Sequence, residues 1–230
     1  MNPADLNHHT LERPPTPEGR PVRLQTGFEE LVNSVSHGLG LVVILTAGPY
    51  LIADRSFDGS TASVWGALIF TLTAIFLYLA STTYHTLPPG PSKQRLDRID
   101  HAAIYFLIAG TYTPFALTVL RGPLGWTLLA VIWAMALVGA YLKLVHGITR
   151  RKLSTVLYLV MGWLGLVAIR PLYAQIGTDG LYWLIAGGLA YTLGVIFYSL
   201  KRVPFTHCIW HLFVLAGTAC HYLAIFRYAK

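Results

Sequence analysis

The sequence has few charged residues for its length. Asp, Glu, Lys and Arg make up 12% of its 230 residues, whereas hydrophobic residues make up 54%. In an ordinary soluble domain about a quarter of the residues are charged, so this composition excludes that class of protein. The sequence predicts a polytopic integral membrane protein.

Cysteine is also scarce. Cys208 and Cys220 lie twelve residues apart in one apolar segment, too far along a helix to bridge each other, so no disulfide framework is expected. The net charge of +7 could suggest a nucleic-acid partner, but the basic residues lie between hydrophobic segments and do not form one cluster. No nucleic-acid binding is predicted.

The apolar runs predict an all-α fold, a bundle of seven transmembrane helices. Each run has close to the 20 residues that a spanning helix needs. The runs cover approximately 31–53, 62–86, 99–120, 124–143, 154–175, 181–200 and 206–228. Residues 1–26 are polar and rich in proline, which predicts a disordered cytoplasmic tail before a transmembrane domain at 27–230.

The distribution of Lys and Arg predicts the orientation. With seven alternating spans, twelve of the 17 basic residues fall on the side of the N-terminus and five on the other side. Because cytoplasmic loops carry the excess of Lys and Arg, the N-terminus is expected inside and the C-terminus outside.

His207 and His211 open the last apolar run. Residues four apart lie on one face of a helix, so both imidazoles can point at a single ion. A catalytic zinc ion usually takes three protein ligands and leaves a fourth position for water, so a third ligand must come from elsewhere. The alternative interpretation is a chance pair that makes ordinary interhelical hydrogen bonds.

The predicted topology brings other polar residues to the same end of the bundle. Ionisable groups in spanning segments are costly and usually mark function, which favours a metal site. His85, at the end of the second run, is the third predicted zinc ligand. Asp100 is predicted to hold a water molecule and accept its proton, with Ser81 close by.

Three further polar residues follow one stripe of the first predicted helix. Glu30, Asn33 and His37 have i, i+3, i+7 spacing. They could orient the ligand imidazoles through hydrogen bonds, or they could simply hold neighbouring helices together. The spacing favours neither interpretation. His37 could also compete with His85 as a ligand, although it lies about 10 Å deeper along its helix than Glu30.

Four separated motifs resemble the haemolysin III family, the bacterial branch of the progestin and adipoQ receptors. They are ELVNSVSHG at 30–38, STTYH at 81–85, DHAAIYFLIAGTYTP at 100–114 and HCIWH at 207–211. The resemblance implies a seven-helix bundle in the bacterial inner membrane, with zinc held near the cytoplasmic face by His85, His207 and His211. It places Asp100 near a metal-bound water, with Ser81 close to it.

Three functions are compatible with this pattern. The first is a zinc-dependent hydrolase that takes a lipid amide or ester from the bilayer, similar to a ceramidase. The second is a cytolysin or channel, which could be a homo-oligomer, although a pore needs polar residues through the full membrane depth. The third is a receptor or sensor with a structural zinc ion. The polar residues concentrate at one end, which favours a site over a pore.

Overall fold

The computed structural model of the protein describes residues 23–58, 60–147 and 151–230. In these residues the regular structure is helical. The α-helices are α1 (Gly27–Asp58), α2 (Thr61–Thr86), α3 (Pro91–Thr118), α4 (Gly122–His146), α5 (Arg151–Trp163), α6 (Ile169–Ser199) and α7 (Thr206–Tyr228), with a 3-10 turn at Leu164–Ala168 between α5 and α6. Residues 1–22, most of the predicted tail, lie outside the described residues.

The prediction of seven spanning helices is wrong. In the described residues, five helical segments are long and apolar enough to cross a membrane: Gly27–Phe57, Thr61–Thr86, Gly122–His146, Lys152–Ser199 and Thr206–Tyr228. Helix α3 is not among them. Its first turns contain several charged residues, and Thr, Tyr and Pro lower the hydropathy of its second half. The predicted orientation was derived from seven alternating spans. Because that number of spans is wrong, the predicted orientation is no longer supported.

The predicted fifth and sixth spans belong to one continuous apolar segment of 48 residues, Lys152–Ser199. The predicted runs at 154–175 and 181–200 leave residues 176–180, which include Gly177, as the connection between them. Gly177 does leave the helical conformation, with φ 65° and ψ −169°, and the two helical stretches of α6 meet there at a kink. A positive φ costs glycine little, so the break is confined to a single residue.

Large apolar side chains cover the outside of the helices. Val42, Val43 and Leu39 on α1 are each more than half exposed, as are Val138 and Tyr141 on α4. Exposed apolar surface on this scale is unfavourable in water and favourable in lipid. The protein is therefore a multi-pass integral membrane protein.

Close packing of α2 against α3 sets the positions of the polar residues at one end. A Cβ atom on Gly66 of α2 would lie only 2.7 Å from the Cα atom of Pro114 in α3, so no larger residue fits there without a shift. Small residues let helix backbones approach in this way. This contact joins the start of α2 to the end of α3, whereas Lys93 near the start of α3 contacts the end of α2. The two helices therefore run antiparallel, and the end of α2 lies beside the first half of α3, which carries Asp100.

Candidate metal centre

Three histidines from two helices meet at one end of the bundle. His85 lies in the last turn of α2, and His207 and His211 lie in the first two turns of α7. One ligand atom from each residue lies within 4.8 Å of the other two. The i, i+4 spacing on α7 predicts only that two imidazoles share a face, and the packing of α2 supplies the third.

Hydrogen bonds fix which nitrogen of His211 is available. Its Nδ1 lies 3.1 Å from the backbone oxygen of Asn33, which can only accept, so Nδ1 carries the proton. The Ser36 hydroxyl lies 2.9 Å from the same nitrogen and donates its own proton to the Asn33 oxygen at 2.8 Å. The Nε2 atom of His211 is left with a free lone pair.

His85 shows the same pattern. Its Nδ1 lies 2.7 Å from the Glu30 carboxylate, so Nδ1 donates and Nε2 keeps a lone pair. The Nε2 atoms of His85 and His207 are both buried, and neither has a hydrogen-bond partner among the described residues. Buried nitrogen atoms without partners are costly, and a metal ion would satisfy them. The three residues therefore fit a zinc ion, which favours imidazole nitrogen ligands.

Glu30 connects three helices at the site. Its carboxylate in α1 accepts from His85 in α2 and lies 3.0 Å from the ammonium of Lys93 in α3. Lys93 also donates to the backbone oxygens of Tyr84 and Leu87, at the end of α2. A carboxylate behind a ligand imidazole orients the ring and raises its basicity.

We expect Glu30→Gln to weaken zinc binding by about 10- to 100-fold while the protein stays folded. The amide could still accept from His85 but would lose the negative charge that polarises the imidazole. Zinc affinity measured by competition with a fluorescent chelator would check this. Asp179→Asn, which changes an exposed acid on α6, is the matched control. An unchanged affinity in Glu30→Gln would show that this contact does not support the site.

His37 lies against the centre but outside the three-histidine group. Its ring stacks on that of His211, with centroids 3.5 Å apart and planes 11° from parallel. Its Nδ1 lies 2.7 Å from the hydroxyl of Ser81, and its buried Nε2 has no hydrogen-bond partner in the described chain. The structure thus places His37 between His211 and Ser81.

Asp100 and Ser81 lie across the α2–α3 contact. Both residues are buried, and the Asp100 carboxyl lies beside the Ser81 hydroxyl. The neighbouring His101 faces elsewhere: its Nδ1 lies 2.8 Å from the backbone oxygen of Asp97, and its Nε2 lies 3.1 Å from the hydroxyl of Tyr198. The chain His37, Ser81, Asp100 provides a hydrogen-bonded path beside the three imidazoles.

Asn33 contributes its backbone oxygen to His211, whereas its side-chain amide donates to Gln25. The structure therefore brings all eight predicted site residues to one end of the bundle. Metal binding by the three histidines, and the roles predicted for the other five, are still predictions.

Sequence reasoning missed Glu29. Its carboxylate is buried and forms a capping box with Thr26 at the start of α1. It also accepts two hydrogen bonds from Arg23 and one from the backbone N–H of Phe205, 2.9 Å away. Phe205 has a φ of 60°, uncommon for a residue with a side chain, directly before the helix that carries His207. The Thr-x-x-Glu spacing at 26–29 was the available signal.

Ser36 and Lys93 were also missed as neighbours of the ligands. No local pattern marks either one, because each contacts its partner only through the packing of different helices.

An apolar cavity of about 180 Å³ opens from this centre into the bundle. At the polar end, its lining includes Ser81, Asp100, His207 and His211. Most of the remaining lining is aliphatic or aromatic, from α3, α5, α6 and α7. A cavity of this kind suits a molecule with one polar group and a long apolar part.

Comparison with known proteins gives consistent matches over most of the chain. The family described as haemolysin-III related matches residues 26–222. Hemolysin-3 of Bacillus cereus is 42% identical over 200 residues, which cover 87% of this chain and 91% of that protein. The Hemolysin-3 homolog of Bacillus subtilis (strain 168) is 43% identical over 200 residues, covering 87% of this chain and 94% of that protein.

A more distant relative comes from animals. The monocyte to macrophage differentiation factor of Homo sapiens is 30% identical over 213 residues, which cover 88% of this chain and 85% of that protein. The similarity therefore extends over the helices that form the three-histidine centre.

Proposed function

Because the chain belongs to the haemolysin III family, the bacterial branch of the progestin and adipoQ receptors, we propose that this membrane protein is a zinc-dependent hydrolase of a lipid amide or ester. One observation carries the proposal: two of the three grouped imidazoles, His207 and His211, line the polar end of an apolar cavity. The buried Nε2 atoms of His85 and His207 have no hydrogen-bond partner among the described residues. A structural zinc site alone would not need the cavity.

The substrate would lie with its acyl chain among the apolar side chains and its carbonyl at the three histidines. A zinc ion held at their free nitrogens would supply Lewis-acid polarisation of the carbonyl and would acidify water. His85 and His211 are held in a metal-binding tautomer by Glu30 and by the Asn33 backbone. These contacts keep the ligands oriented before substrate arrives.

Asp100 is the residue that transfers protons in the proposed hydrolysis. Its carboxylate lines the cavity, so it can accept the proton of the attacking water and later return it to the leaving amine or alcohol. The Ser81 hydroxyl oxygen lies 2.7 Å from His37 Nδ1, so if His37 donates there, the serine proton can be donated to the neighbouring Asp100 carboxylate. Once Asp100 has taken the proton of the water, the serine proton can turn to the oxygen that gains negative charge. The burial of both residues strengthens these interactions.

The test is hydrolysis by the purified, zinc-loaded chain in lipid nanodiscs. Long-chain N-acyl amines, ceramides and glycerol esters would be the substrates, and released fatty acid would be measured by mass spectrometry. We expect release from at least one class, loss of release with a chelator, and recovery on adding zinc. Folded, zinc-loaded protein that releases no fatty acid from any of them would contradict the proposal.

Dye release from vesicles, measured on the same preparation, separates hydrolysis from a pore. Leakage without hydrolysis would favour the cytolysin or channel, and the bacterial relatives carry the name hemolysin.

A further inference from the structure

The cavity has a second polar point, far from the three histidines. His221 of α7 and Tyr191 of α6 both line it. His221 lies ten residues beyond His211 on the same helix, which corresponds to about 15 Å. The centroids of the His221 and Tyr191 rings are 5.5 Å apart.

The tautomer of His221 leaves one nitrogen as a free acceptor. Its Nε2 lies 3.3 Å from the backbone oxygen of Leu184, which can only accept, so Nε2 carries the proton. Nδ1 then holds a lone pair, and this buried atom has no hydrogen-bond partner in the described residues. His221 is only 9% exposed, so leaving the atom unsatisfied is costly.

Tyr191 is also left as an acceptor. The Thr218 hydroxyl donates to the backbone oxygen of Val214 at 3.0 Å. The contact of 2.8 Å between Tyr191 and Thr218 must therefore use the tyrosine proton. The Tyr191 oxygen keeps lone pairs that can accept from another molecule.

The acceptor atoms of His221 and Tyr191 determine which chemical group of a ligand can bind between them. A neutral donor fits them, whereas a cation would lack a negative partner there. Among the described residues that line the cavity, the acid is Asp100, which lies at the opposite, histidine end. A hydroxyl group is the simplest neutral donor that a lipid chain carries.

We propose that Tyr191 and His221 form a second recognition point for a hydroxyl group in the distal half of a bound acyl chain. This inference rests on the proposed function in one respect: the acyl carbonyl or carboxylate is placed at the three histidines. It narrows the substrate class to long-chain lipids that are hydroxylated away from the carbonyl.

The experiment compares octadecanoic acid with a series of hydroxyoctadecanoic acids on the zinc-loaded full chain in nanodiscs. The acids of the series carry a hydroxyl at successive positions in the second half of the acyl chain. Dissociation constants come from competition with a fluorescent fatty acid. We expect at least one hydroxylated acid to bind about fivefold more tightly than the plain acid, the value of one buried hydrogen bond.

Variants test whether His221 is responsible for the preference for a hydroxylated acid. The preference is measured within each variant, as the ratio of the dissociation constants of the plain acid and the hydroxylated acid. His221→Phe removes the acceptor and should bring this ratio to about one, and Tyr191→Phe should reduce it. His221→Gln keeps an acceptor and should retain part of it. For an acid hydroxylated next to its carboxyl group, the ratio should not differ between wild type and His221→Phe.

Equal binding of all acids by the wild type would overturn the inference, and so would a preference that survives in His221→Phe or a failure of every acid to bind. Binding does not require turnover, so the two proposals can fail separately. A His221-dependent preference without hydrolysis would reject the hydrolase alone. Hydrolysis without any preference for a hydroxyl would reject this inference alone.

Discussion

Replacing His207 and His211 together with alanine will remove stoichiometric zinc from the purified protein. The wild-type chain, prepared without a metal-affinity tag, is expected to hold about one zinc ion per chain. The double variant keeps a single imidazole of the three, which cannot hold the ion, and His85→Ala should have the same effect. Metal content by mass spectrometry and protein concentration by amino-acid analysis measure this directly.

The control for this prediction is His146→Ala, which removes an exposed histidine at the end of α4. It should keep the zinc content of the wild type. Helix content and elution volume in detergent show whether each variant is folded, so loss of metal can be separated from loss of structure. Stoichiometric zinc in a folded His207→Ala/His211→Ala protein would place the ion elsewhere and would contradict the predicted centre.

Asp100→Asn is expected to reduce lipid hydrolysis by about 10²- to 10⁴-fold, the contribution typical of a general base. The amide has nearly the same shape as the carboxylate but cannot accept a proton from water. Zinc content should stay near one per chain, because Asp100 is not among the three grouped ligands. Initial rates of fatty-acid release under saturating substrate measure the effect.

Asp97→Asn is the matched control for Asp100→Asn. It makes the same chemical change one turn away on α3, at a residue that does not line the cavity. Its hydrolytic rate should stay within about threefold of the wild type, since it touches neither substrate nor water in the proposed reaction. Equal losses in the two variants would show that charge on α3, and not proton acceptance by Asp100, sets the rate.

The grouping of the predicted residues along each helix could be predicted because the motifs are local. The pairing of His207 with His211 follows from helix periodicity within a single turn. Glu30, Asn33 and His37 share a stripe of α1 for the same reason. The association of these groups with His85, Ser81 and Asp100 came from the expectation that polar residues in apolar segments converge, and the packing brings them together.

The span count failed for a physical reason. Length and breaker residues were taken to separate the spans, but a single glycine can leave the helical conformation without opening a loop, as Gly177 does in α6. In α3, the polar residues that mark the site also lower the apolar character of the helix. The feature that made α3 informative about function therefore made it a poor spanning segment by composition.

The sequence by itself determined that the protein is helical, lies in a membrane, belongs to the haemolysin III family and carries two histidines on one helical face. The helical fold, the membrane location and the histidine pair follow from composition and local periodicity, whereas the family membership follows from matching motifs along the chain. Only the tertiary structure decided which imidazole nitrogens lack a hydrogen-bond partner, that Ser36 contacts His211 and Lys93 contacts Glu30, and that His221, with an unpartnered nitrogen, lines the cavity. Those features depend on contacts between helices far apart in the chain, which no local pattern encodes.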